Sequence, residues 1–172
     1  MAGVGFGFNL SRVMSTKFPI FQPADLPDSA RIAVVAARFN ADVTDELLNG
    51  CLRRFGELGI EGSRVEIYRV PGAFELPVAA KMLARTHRFS AIVCLGCIIR
   101  GDTPHFEYVA REAARGVQEV ALHEMLPTIF GVLTVDNAEQ ARERIGGKHG
   151  HYGERAAESA AEMIALVTRI RR

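Results

Sequence analysis

The stretch AIVCLGCIIRGDTPHFEYV, Ala91–Val109, decides how the chain folds. It opens on nine apolar residues and changes character abruptly at Arg100. Residues 91–96, AIVCLG, read as a strand: short, apolar and rich in β-branched side chains, as in strands buried on both faces. A turn follows, with Thr103 placed to cap a helix and Pro104 at its first position. Val109, Ala113, Val117 and Val120 then recur at helical spacing.

The same strand–helix unit recurs outward in both directions. RIAVVAA (31–37) is a buried strand, followed by Leu47, Leu48, Cys51, Leu52, Phe55 and Leu58 on one helix face and Gly59 as the stop. VEIYRV (65–70) alternates as a strand, and Leu76, Ala79, Ala80 and Leu83 carry the next helix, with Pro77 tolerated in its first turn. TIFGVLTV (128–135) is the fourth strand, and Asn137 caps a short helix, AEQARERI. A last helix places Ala156, Ala160, Met163, Val167 and Ile170 on one face. Strands alternating with helices predict an α/β three-layer sandwich, a four-stranded parallel sheet with helices on both sides.

The totals narrow the function. The chain has 172 residues, a net charge of +1 and a hydrophobic content of 48%, which fits one globular domain and no main nucleic-acid or membrane partner. No apolar run nears the ~20 residues a spanning helix needs. Residues 1–19 are expected to be a flexible arm, lacking the leading positive charge of a signal peptide, with the single domain running from 20 to 172. Pro19–Gln22 (PIFQ) is expected to pair as an edge strand. The three cysteines form no disulfide framework, which fits a reducing, cytoplasmic setting.

In sheets of this kind ligands bind beyond the carboxyl ends of the strands. That rule selects three segments: RFN (38–40), PGAFE (71–75) and the loop Arg100–His105. The Gly101–Pro104 turn opens a helix, so its free N–H groups form either an anion site or an ordinary loop. Arg100 either holds an anion or makes a salt bridge. His105, in the first helical turn, is either a proton shuttle or a surface histidine. Phe39 is either a platform for a flat ring or a staple on its own helix. Glu75 either binds hydroxyls or caps its helix. Cys94–Cys97 has redox CxxC spacing but lies in an apolar strand, and His149 with His151 is a weak metal signal. The GxxxxGK[ST] and GxGxxG phosphate cradles are missing where a strand and helix would require them. A receiver-type regulatory module would need an acidic cluster where Arg38–Phe39–Asn40 stands.

Taken in order, RFN, VPGAFELP, GCIIRGDTPHFEYV and FGVLTVDN…QARERIGGKHG resemble the lumazine synthase family, from about Ile20 to the C-terminus. The resemblance implies condensation of 5-amino-6-(D-ribitylamino)uracil with 3,4-dihydroxy-2-butanone 4-phosphate, the penultimate step of riboflavin biosynthesis, with no metal and no cofactor. It implies that Phe39 stacks on the pyrimidine, that Ala73, Phe74 and Glu75 hold the ribityl chain, and that Cys97, Ile98 and Ile99 meet the pyrimidine edge. Phe130 would reach the pyrimidine from a neighbouring subunit. Asp102 and Thr103 would offer N–H groups to the phosphate, with Arg144 as its cationic partner, and His105 would shuttle protons. It also implies a homopentamer whose edge strand joins a neighbouring subunit. The short GGKHG turn favours a closed icosahedral shell of twelve pentamers, with riboflavin synthase a candidate partner. Where many relatives carry NKG this chain has His151–Tyr152–Gly153. A shell-forming relative without activity is the competing expectation, and the presence of His105, Arg144, Phe39 and Glu75 argues against it.

Overall fold

The computed structural model describes residues 26–171. The arm 1–19 and the edge strand expected at Pro19–Gln22 lie outside them. Strands β1 (Ile32–Ala37), β2 (Val65–Val70), β3 (Ala91–Ile99) and β4 (Thr128–Val135) form one sheet in the order β2-β1-β3-β4. All of its pairings are parallel. The continuous apolar runs of β1 and β3 are buried because both strands are central and covered on both faces. Helices α1 (Ala41–Glu57) and α5 (Tyr152–Ile170) cover one face, and α2 (Leu76–Ala84) and α3 (His105–His123) cover the other. The three-layer α/β sandwich is therefore the observed fold.

β3 runs three residues beyond the strand expected over 91–96. Gly96 does not end it. A Cβ there would come within 3.3 Å of Leu76 and 3.4 Å of Val132, so the glycine marks a close approach inside the strand. Pairing with β1 stops at Leu95, while pairing with β4 continues to Ile99. With Leu95 opposite Ala36 and β1 ending at Ala37, Cys97–Ile99 overhang the end of β1.

Residues three apart on a strand point to opposite faces. Cys94 accordingly packs with α2 and α3, and Cys97 packs with α1 and α5. Burial pushes the thiol of Cys94 up to about 12 and that of Cys97 up to about 11. These are separate core thiols and not a redox pair.

Three local expectations change. First, the buried side of α5 is Gly153, Ala156, Ala157, Ala160, Ala161, Ile164 and Ala165. Met163 and Ile170 are 38% and 72% exposed. The small residues let α5 lie close on α1, and the larger ones turn outward. Second, Thr103 makes no capping bond: Pro104 is the boundary residue, and α3 begins at His105. Third, the segment after the short helix α4 (Ala138–Arg142) is not a plain turn. It forms a hairpin of β5 (Ile145–Gly147) and β6 (Gly150–His151). Gly146 at φ 111° and Gly150 at φ 76° supply its left-handed backbone. Asn137 caps α4 as expected, its side chain accepting from the N–H of Gln140 at 2.9 Å.

The α1–α5 seam is set by contact between backbones. A Cβ at Gly153 would overlap the backbone of Leu47, whereas one at Gly56, also helical, would meet nothing within 4 Å. Gly153→Ala is expected to cost about 1–3 kcal/mol through overpacking, and Gly56→Ala to gain up to about 1 kcal/mol of helix propensity. Opposite shifts of the urea midpoint in the two variants check this.

Candidate active site

A cleft of about 370 Å³ opens at the carboxyl edge of the sheet. Phe39 enters it from the loop after β1, and Gly72, Ala73 and Phe74 from the segment after β2. Cys97, Ile98 and Ile99 form its floor from the overhang of β3. Gly101, Thr103, His105, Phe106 and Val109 close it from the following loop and the first turns of α3. Three segments far apart in sequence converge because all follow parallel strands whose ends share one edge.

Asn40 builds one corner. It adopts the left-handed conformation at φ 58° and ψ 52°, which asparagine accepts more readily than most residues. Its Nδ2 donates to the Cys97 carbonyl at 2.9 Å, joining the loop after β1 to the overhang. The N–H of Phe39 donates to the Pro71 carbonyl at 3.0 Å, joining the same loop to the PGAFE segment. Phe39 is left 70% exposed and Phe74 56% exposed. Rings so open contribute little to the core and are free to cover a flat ligand.

Glu75 takes the role of a cap. Its Oε2 accepts from the N–H of Gly72 at 2.9 Å, which closes the PGAFE turn, and it does not line the cleft. Arg100 turns away from the cleft. Its Nε donates to Asp136 at 2.9 Å, Nη1 lies 3.6 Å from Glu107, and its guanidinium sits 4.5 Å above the Phe106 ring. Of the two readings of Arg100, the salt bridge is the one observed.

Asp102 is exposed in the loop but is not part of the lining, while its neighbours Gly101 and Thr103 are. Phe130 lies in the first half of β4, opposite Cys94, away from the carboxyl edge, and is 40% exposed. Arg144 sits between α4 and the hairpin, where its Nη1 donates to the Gln140 carbonyl at 2.8 Å. Neither Phe130 nor Arg144 lines the cleft of its own chain. The sequence reading missed Phe106 and Val109 as lining residues. Their helical spacing after His105 was the available signal, since residues one and four positions along share the inward side of the first turns.

A family model described as 6,7-dimethyl-8-ribityllumazine synthase matches residues 29–168. The chain belongs to that family. A relative of that name from Syntrophus aciditrophicus is 47% identical over 140 residues, covering 81% of this chain and 91% of its own. One from Protochlamydia amoebophila is 48% identical over 141 residues, 82% of each chain. One from Coxiella burnetii is 45% identical over 142 residues, 83% of this chain and 94% of its own. The match to the lumazine synthase family spans every element that builds the cleft, from β1 to α3.

The Asn40 bridge is open to test by two substitutions. Asn40→Gly removes the bond to Cys97 but keeps the backbone conformation, at a cost of about 1 kcal/mol. Asn40→Ala adds the left-handed strain, about 1–2 kcal/mol more. Denaturation midpoints ordered wild type, Gly, Ala are the expected result.

Proposed function

We propose that this cleft condenses 5-amino-6-(D-ribitylamino)uracil with 3,4-dihydroxy-2-butanone 4-phosphate to give 6,7-dimethyl-8-ribityllumazine, phosphate and water. The chain is thus an enzyme of riboflavin biosynthesis, a transferase. The observation that carries this reading is the convergence of Phe39, Ala73, Phe74, Cys97, Ile98, Ile99, Thr103 and His105 on one cleft, in a chain of this family.

The chemistry suits the lining. Of the residues that form it, Cys97 and His105 carry titratable side chains, and burial holds the Cys97 thiol protonated. The reactive groups must then come with the substrates, an amine and a ketone. The protein holds them at bonding distance, and His105 moves protons through Schiff-base formation, phosphate elimination and ring closure. Phe39 and Phe74 cover the flat ring. On the side that β1 leaves free, the overhang of β3 offers backbone groups to the pyrimidine edge. The backbone at Asp102 and Thr103, leading into α3, receives the phosphate. Glu75 keeps the ribityl-binding turn in shape through its bond to the Gly72 N–H.

Phe130 enters this scheme from a neighbouring subunit, and Arg144 enters it as the cationic partner of the phosphate. A homo-oligomer is part of this reading, and exposed Phe130 and Ile67 on the edge strands, with Met163, Leu166 and Ile170 on α5, are the apolar groups it would cover. The assembly in this reading is a pentamer, with twelve pentamers closing into a shell in the cytoplasm and riboflavin synthase a candidate partner.

His105→Ala is expected to slow turnover by about 10²–10⁴-fold, the usual worth of a positioned proton donor or acceptor, with substrate dissociation constants little changed. Single-turnover kinetics beside equilibrium binding separates the two. Arg144→Ala is expected to raise KM for the phosphate substrate about tenfold or more while sparing that for the pyrimidine. An unchanged KM would remove Arg144 from the site.

A further inference from the structure

The β5–β6 hairpin packs against α1 through Ile145 of β5, which lies on the core cluster of that helix, and through one buried side chain of β6. His151, on β6, is 7% exposed, although histidine is seldom so buried. Its imidazole occupies the space where Gly50 of α1 lacks a side chain, and a Cβ at Gly50 would overlap the ring. Its Nδ1 has no hydrogen-bond partner among the described residues. The ring is therefore seated by shape and not by a polar contact.

What the ring carries is Arg144. His151 is paired with Ile145 across the hairpin. The next N–H, that of Tyr152, donates to the Arg144 carbonyl at 2.8 Å, and the N–H of His149 donates to the Glu143 carbonyl at 2.9 Å. Arg144 is thus fastened by its own carbonyl to the residue beside the seated ring. The same helix α1, with Gly50 at its middle, starts after Asn40, the corner of the cleft. One helix therefore fixes both the cleft corner and the hairpin.

We propose that His151, seated in the Gly50 notch, is a positioning residue that holds the Arg144 segment in register for phosphate binding. The proposal rests on the reading of Arg144 given above. The neutral ring is the form the seat accepts: burial lowers the His151 pKa, Glu154 of α5 and Glu46 of α1 oppose that shift, and Arg53 of α1 adds to it.

A double-mutant cycle on the full chain tests it, with Gly50→Ala, His151→Ala, the double variant and Arg144→Ala. Gly50→Ala should displace the ring and raise KM for the phosphate substrate about tenfold, with kcat and the KM for the pyrimidine within about twofold. His151→Ala should act in the same direction. With the ring gone, Gly50→Ala should add little, so the two effects should not sum. Amide hydrogen exchange at Tyr152 should quicken in both single variants relative to amides of β3, a readout that needs no catalysis. If Gly50→Ala does not fold, His151→Ala alone carries both readouts. Additive effects, a fall in kcat at constant KM, or unchanged exchange at Tyr152 would each overturn the proposal. Faster exchange with Arg144→Ala leaving KM untouched would sink the Arg144 reading, reduce the seated ring to packing and so overturn its role in binding.

Discussion

The unequal length of neighbouring strands is the constraint from which the site follows. β3 spans Ala91–Ile99, while β1 pairs with it only as far as Leu95. At a rise of about 3.3 Å per residue, the overhang projects beyond β1 by more than a side chain's width. Its far side is covered by β4 as far as Ile99, so it cannot fold back or fray. Its near side faces the space above β1, and the loops after β1 and β2 must turn there because their own strands have ended. A rigid floor whose near edge has no strand partner, walled by two aromatic-bearing loops, results from pairing geometry before any catalytic residue is considered.

The glycines and small residues make that geometry affordable in space. Gly96 lets Leu76 and Val132 close on β3, and Gly153 lets α5 lie against α1. At Gly116, an added Cβ would meet the Pro77 ring at 2.7 Å, so α2 and α3 are equally close. Each contact replaces side-chain volume with backbone proximity, which leaves few soft modes between layers. Such stiffness suits a reaction whose main demand is that two reactive substrates be held together.

The sequence was legible where local pattern and tertiary environment agree. The bounds of β2 and β4 are those expected from alternation and apolar run length, and α1 ends at Leu58–Gly59 as its glycine suggests. Phe39, Ala73, Phe74, Cys97, Ile98, Ile99, Thr103 and His105 meet in the cleft because strand order alone brings their loops to one edge. Reading failed where size or punctuation misleads. Gly96 looks like a strand end, but its neighbours require it inside the strand. Met163 and Ile170 look like core, but the buried side of α5 is alanine and glycine apart from Ile164. The hairpin was hidden because GGKHG reads equally as a turn. Phe130 and Arg144 do not join the other expected residues at the cleft, because β4 places Phe130 away from the carboxyl edge and the α4–hairpin segment holds Arg144 apart from it.

The same geometry explains why the titratable groups near the cleft have been withdrawn from it. Cys97 contributes to the floor, yet its thiol belongs to the α1–α5 side of the core and is held protonated. Glu75 is drawn back to the Gly72 N–H, and Arg100 is drawn out to Asp136 and Glu107. A thiolate in the cleft could add to the ketone, and a free cation on the wrong side could compete for the phosphate. Sequestering these groups leaves an apolar, aromatic enclosure with an imidazole at one wall and helix amides beside it. Such a cleft favours reactants that bring their own nucleophile and electrophile, because it lowers the entropic barrier to their meeting without offering a competing partner.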